Sequence, residues 1–149
     1  MPFVNAKFSE KNAVLATLNP ASVAASTVLT AYVPVQNFHS IAALLQTGVM
    51  GVSGTIDAKL RQAQDASGTG VKDITGKAIA QIVKASGDNV QAMIECRAED
   101  LDSTNGFGWV ALSVTVGTAA SLLSAVLVGT NARYETAAAF NQVGVVQVI

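Results

Sequence analysis

Charged side chains are scarce in this sequence. They make up 13% of its 149 residues, about half of the roughly 25% found in an ordinary soluble domain. Hydrophobic residues make up 50%. This excludes a disordered, solvating chain, which needs the opposite balance. Nine Lys and Arg stand against ten Asp and Glu, for a formal net charge of −1, and the basic residues form no block. A nucleic-acid binder carries a concentrated basic stripe, so neither nucleic acid nor an anionic membrane is an expected partner.

Cysteine and histidine are rarer still. Cys96 is the single cysteine, so no intramolecular disulfide can staple the chain. It lies between Glu95 and Arg97 in an alternating stretch and reads as a buried, inert thiol. His39 is the single histidine, and one His with one Cys cannot supply a typical zinc set. No serine sits in a G-x-S-x-G elbow, so a Ser-His-Asp site through His39 has no support. Gly48, Gly51 and Gly54 are spaced three apart and Gly68 and Gly70 share a turn. None builds a phosphate loop. The nearest approach to a cation site is Glu99, Asp100 and Asp102 before Asn105, because hard cations take oxygen ligands. Its spacing is not that of an EF-hand, and it reads as a solvated acidic loop. The chain has only eight aromatics, few for the aromatic-lined cleft that usually accompanies paired-carboxylate glycoside chemistry. Trp109 reads as a core or interface ring. No catalytic residue, metal or cofactor is expected.

The opening Met-Pro-Phe-Val-Asn-Ala-Lys-Phe lacks the basic and apolar regions of a signal peptide. Ser103 to Ala132 carries no formal charge and is long enough to span a bilayer. Gly117-Thr118 divides it, however, and Val110, Leu112, Val114 and Val116 recur with a period of two. Two strands and a turn are expected there rather than a membrane helix.

What charge there is lies unevenly. Asn12 to Ile56 holds none, whereas Asp57 to Asp102 holds fourteen of the nineteen charged residues. A soluble monomer spreads its charge over its surface, so the long neutral tract suggests surface that other subunits cover.

The periodicity is that of strands. Thr27–Val35, Phe38–Thr47, Thr55–Arg61, Val90–Arg97, Phe107–Val116, Leu122–Val128 and Val143–Ile149 are strand candidates. Val71–Lys84 could hold one or two more. Turns are expected at Asp65–Gly70, Ser86–Asn89 and Gly129–Asn131, a helical turn at Ala98–Asp102, and a loop at Ser103–Gly106. Ala13–Leu18 and Lys77–Lys84 also admit short helices. About eight strands with regular turn signals predict an all-β fold, a β-sandwich or jelly roll, in a single domain over 1–149. Residues 1–11 could form an N-terminal arm whose apolar anchors are Phe3, Val4 and Phe8. Such an arm could dock on a neighbour or fold back on its own domain. With Trp109, these three are the candidate partner-contact residues.

Three stretches carry a family resemblance. Thr55-Ile-Asp-Ala-Lys-Leu-Arg-Gln-Ala-Gln-Asp-Ala-Ser-Gly-Thr-Gly-Val-Lys-Asp-Ile-Thr-Gly76 resembles small virion proteins of tailed bacteriophages. So do Glu95-Cys-Arg-Ala-Glu-Asp-Leu-Asp102 and the following Phe107-Gly-Trp-Val-Ala-Leu-Ser-Val-Thr-Val. The resemblance covers roughly Val28 to Gly129, and its motifs are structural. It implies a component of a virion assembled in the host cytoplasm, most like a capsid decoration (cement) protein, whose partner is the major capsid protein lattice, with homo-oligomeric contacts. A head–tail connector or tail-tube role is the neighbouring alternative. A glycan- or host-surface-binding β-sandwich is the alternative of another class, and it calls for an aromatic groove around Trp109 or Tyr134.

Overall fold

A strand that alternates in sequence needs a partner edge, and most of this chain finds one. The computed structural model describes residues 5–134 and 136–149. One helical turn, α1 (Phe8–Lys11), precedes β1 (Ala13–Val23), β2 (Ser26–Leu29), β3 (Val33–Pro34), β4 (Phe38–Met50) and β5 (Thr55–Ala63). Then come β6 (Lys72–Ala78), β7 (Ile82–Val83), a helical turn α2 (Lys84–Gly87) and β8 (Gln91–Arg97). Two 3-10 turns at Ala98–Asp100 and Ser103–Asn105 lead to β9 (Trp109–Gly117) and β10 (Ser121–Ala132), and a last 3-10 turn spans Ala137–Phe140.

The strands form two antiparallel sheets. One has the order β1-β10-β4-β8; the other has β2-β9-β5-β6, with β3 extending β2 along β9 and β7 extending β6 along β5. With β2 and β3 counted as one interrupted strand, and β6 and β7 as another, eight strands remain. In chain order the sheets then read 1-8-3-6 and 2-7-4-5. That interleaving, two Greek keys wrapped into two facing sheets, is the jelly roll. Consecutive strands cross between sheets everywhere except at β5–β6. Phe107–Val116 and Leu122–Val128 are therefore strands joined by a turn, as expected, but they lie in opposite sheets and not in one hairpin.

The core fills the space between the sheets. Ile41, Ala43, Leu45, Ile94, Cys96, Leu123, Ala125 and Leu127 enter from one side. Ile56, Ala58, Leu60, Val110, Leu112, Val114 and Val116 enter from the other. Each fully buried aliphatic chain contributes about 1.5–3 kcal/mol, so these positions set the register of every strand. Phe38 closes one end, meeting Phe140 edge-on with centroids 5.7 Å apart and planes at 74°.

Several expectations need correction. Ala13–Leu18 is not helical. It is the start of β1, paired with β10 through two irregularities, at Leu15 and at Asn19-Pro20. Pairing along a long neighbour outweighs the weak helix preference of its alanines. Lys77–Lys84 is not helical either: β6 ends at Ala78, β7 follows, and the helical turn begins only at Lys84. Thr27–Val35 is broken in the middle, where the Thr30 N–H donates to Leu112 O at 3.0 Å but the Leu112 N–H donates to Thr30 Oγ1 at 2.9 Å instead of to a backbone carbonyl. Val143–Ile149 forms no strand. Gln142 N–H donates to Val14 O at 2.8 Å, after which the segment leaves the edge of β1, with Val143 99% and Ile149 102% exposed. β-Branched composition suits a pleated surface but does not create a ladder without a partner.

Candidate interaction surface

The two sheets present unlike faces to the outside. The strands β1, β4 and β10 contain no Asp, Glu, Lys or Arg at all, and β8 contributes only Glu95 and Arg97. Cross-strand register lines up their outward residues in rows. Met93, Leu44, Val126 and Thr17 form one row; Glu95, Ala42, Val128 (itself buried) and Val14 form the next; Gln91, Gln46 and Ser124 form a third. Leu44, Leu122 and Met93 are exposed, and a shallow depression runs between Leu44, Met93 and Val126. The centre of this face is apolar, and the charged side chains of its four strands are Glu95 and Arg97 on β8.

The other sheet turns charge outward. Asp73 on β6 accepts from Lys59 Nζ at 3.0 Å and from Arg61 Nε at 2.9 Å on β5. These pairs hold the Asp73 carboxyl below its usual range, the Lys59 hydrogen bond being the largest cause. Ala111 and Ser113 are buried although they belong to the outward set of β9. Their cross-strand neighbours are Arg61 and Lys59, whose aliphatic stems can lie along the sheet while the heads stay wet.

The acidic loop is engaged internally. Asp102 accepts from Lys72 Nζ at 2.5 Å and from Asn105 Nδ2 at 2.8 Å, and its carboxyl is lowered, the Lys72 hydrogen bond leading. Asp100 Oδ2 accepts from the Arg97 N–H at 2.8 Å and faces Lys77 Nζ at 3.6 Å. Glu99 pairs with Arg97 at 2.7 Å. Among the described residues no three His, Cys, Asp or Glu are grouped to hold a metal ion.

The four candidate contact residues are not brought together. Phe3 and Val4 lie outside the described residues. Phe8 lies on α1, 66% exposed, and α1 itself packs back against the Ala137–Phe140 turn and β10. Trp109 is half-buried at the start of β9, opposite Ala63 and Pro34. It lines a second shallow depression with Pro34, Gln36, Phe107 and Arg133. Tyr134 is 64% exposed and does not line it. His39 is exposed at the start of β4, whereas Cys96 points into the core. Burial pushes the Cys96 thiol up to about 11.

Sequence reasoning passed over the residues that define the neutral face. Phe38–Thr47 read as a continuous apolar run, which conceals its two sides. A usable signal existed in Leu44-Leu45 and Leu122-Leu123. Adjacent leucines in a strand point to opposite faces, so one of each pair has to face outward.

No protein-family model matches the chain, and no curated protein sequence matches it. Solved structures do resemble it. A chain of the Triatoma virus empty capsid is similar at 11% identity, over 83% of this chain and 89% of that one, with a TM-score of 0.49. A chain of the Cowpea mosaic virus top component, a naturally occurring empty particle, is similar at 11% identity, over 83% and 87%, with a TM-score of 0.44. The Clostridium thermocellum xylanase 10B CBM22-1–GH10 modules complexed with xylohexaose give 11% identity, 84% of this chain, 28% of that one and a TM-score of 0.46. The fold assignment rests on the strand order, which the hydrogen-bonded pairs define by themselves. The molecule is an antiparallel jelly roll with one neutral, partly apolar sheet face and one charged sheet face.

Proposed function

We propose that this chain is a non-enzymatic structural protein of a virus particle, which decorates a tailed-phage capsid and stabilises it by packing on capsid subunits. The observation that carries the reading is the asymmetry of the two sheet faces. A sheet face with charge only on β8, centred on the apolar Leu44, Met93 and Val126, is suited to burial against protein. The motif resemblance of Thr55–Gly76 and Phe107–Val116 to phage virion proteins supplies the kind of particle. The jelly roll alone does not, because one fold hosts many functions.

Magnitudes allow it. Four strands about 4.8 Å apart and about 11 residues long, at about 3.3 Å per residue, present on the order of 700 Å². A standard interface buries about 800 Å² on each partner. A protein that binds only the assembled shell stabilises that shell by mass action. The experiment strips the protein from particles, adds it back at low salt and at about 1 M salt, where the Debye length is about 3 Å, and measures the temperature of DNA release. Decorated particles release DNA at the higher temperature at both salt concentrations. Equal release temperatures for stripped and decorated particles overturn the reading.

The second reading, a glycan-binding module, is favoured by the depression beside Trp109 and Phe107. Calorimetry against oligosaccharides with the native chain and with Trp109→Ala separates the two.

A further inference from the structure

Exposed apolar side chains are concentrated in one short segment. Between residues 143 and 149 lie Val143 (99% exposed), Val146 (88%), Val148 (53%) and Ile149 (102%). The segment carries no charged side chain and no proline, is rich in β-branched residues, and belongs to no sheet. Val145 N–H donates to Gln142 O at 3.0 Å at its base. It is a strand by chemistry without a ladder to join.

The same molecule offers an edge that fits it. Thr47 N–H donates to Val90 O at 2.9 Å, and the register from Ser40↔Arg97 to Gln46↔Gln91 is unbroken. Hydrogen-bonded and non-bonded pairs alternate along an antiparallel ladder. Val90, Ala92, Ile94 and Cys96 therefore turn their backbone groups toward β4. Gln91, Met93, Glu95 and Arg97 turn theirs to the open edge of the sheet. The Arg97 N–H is taken by Asp100 Oδ2, which leaves Gln91, Met93 and Glu95 as an edge template. β8 has seven residues, no bulge and no proline.

The other edges are blunted in the ways that prevent strand addition. β1 carries its irregularities at Leu15 and Asn19-Pro20. Its start is occupied by Asn141 Oδ1, which accepts from the Val14 N–H at 2.8 Å, and by the Gln142 N–H. The β2–β3 edge is interrupted, and the β6–β7 edge is interrupted and lined by Lys72, Asp73 and Lys77.

We propose that segment 143–149 of one copy adds as a strand to the β8 edge of a second copy. Seven extended residues reach about 23 Å, the length of β8. Alternate side chains of an added strand share one face. The segment then places either Val143, Val145 and Ile149 or Val146 and Val148 beside Met93, continuing the apolar row of Leu44 and Val126. Main-chain bonds to Gln91, Met93 and Glu95 supply attachment, and the valines supply apolar burial. The donor leaves beside β1 and the acceptor is β8, so the contact joins opposite edges of one sheet. Such a contact is head-to-tail: it closes a ring or propagates as a chain. The inference concerns self-association and stands apart from the capsid reading above.

The test uses the full chain and three single-cysteine additions. In sedimentation velocity over a range of concentrations, the full chain forms species larger than a monomer, and deletion of residues 143–149 returns it to a monomer with an unchanged melting temperature. Mixing a Met93→Cys chain with a mass-tagged Val145→Cys or Val146→Cys chain under mild oxidant yields the mixed disulfide as the main product with one of the two, the one whose side chain shares the Met93 face. A full chain that stays monomeric overturns the proposal, as does a deletion that leaves association intact. Cross-linking within one chain in a double variant of Met93→Cys with Val145→Cys or Val146→Cys, without mixed dimers from the single variants, also overturns it.

Discussion

Leu44 and Met93 lie directly opposite one another on β4 and β8, and both turn away from the core, 39% and 60% exposed. Each neighbours a residue that points inward and is buried, Leu45 and Ile94 respectively. The pair makes the sheet face apolar without any part in the sandwich core.

Leu44→Lys and Met93→Lys therefore separate folding from assembly. Outward substitutions of this kind change stability within about 0.5 kcal/mol. A lysine buried without a partner in an interface is costly. Thermal melts of both variants match the native chain, while co-sedimentation with particles weakens by about tenfold, equivalent to about 1.4 kcal/mol, or more.

Gly129 is the opposite case, a position set by close approach. A Cβ there would meet the Phe38 ring at 2.7 Å, and Phe38 is fully buried. Gly129→Ala destabilises the fold by about 1–3 kcal/mol through overpacking. Since about 1 kcal/mol moves the melting temperature by roughly 2–4 °C at this size, a calorimetric melt detects it. Gly76→Ala is no control, because Gly76 has φ of 76°. Gly108→Ala is, since nothing lies within 4 Å of the added carbon.

Acid weakens three lysine–aspartate pairs. Asp73, Asp88 and Asp102 all have lowered pKa values, each led by a hydrogen bond from a lysine, Lys59, Lys84 and Lys72 respectively. For a carboxyl whose folded value lies below its unfolded one, the stabilisation is complete above the unfolded value, about 3.9, and is lost as pH falls through the folded value. Urea midpoints are flat from neutral pH down to about 5 and drop below about 4. Asp102→Asn shallows that drop.

Cys96 tests the absence of nucleophilic chemistry. Its thiol is 1% exposed and shifted up to about 11, so near neutral pH it is neither ionised nor accessible. A thiol-reactive dye labels nothing in the native chain and one cysteine after denaturation. Replacing both His39 and Cys96 with Ala leaves particle binding unchanged.

The sheets were legible where one side of a strand is polar. Thr55–Arg61 and Phe107–Val116 alternate because Asp57, Lys59 and Arg61, or Ser113 and Thr115, mark the outer side. Phe38–Thr47 did not separate into sides, because Ala42 and Leu44 are as apolar as Ile41 and Ala43. Only pairing with β10 and β8 reveals which of them is outside. β1 was obscured by its two irregularities, which shift the period midway through the strand. Val143–Ile149 read as a strand because composition reports what a residue tolerates, and pairing depends on an edge elsewhere in space. The neutral sheet face was legible only in part, through the charge-free tract Asn12–Ile56 that supplies β1 and β4, and not as particular residues.

Met93 also reports on the central claim, that the neutral sheet face is covered in the assembled particle. Oxidative footprinting followed by mass spectrometry reads it directly, with Met50, only 2% exposed, as the internal reference. Free protein at a concentration where it is monomeric oxidises readily at Met93 and not at Met50. In the particle Met93 becomes as protected as Met50. Oxidation of Met93 at the same rate in the particle as in the free chain contradicts the claim.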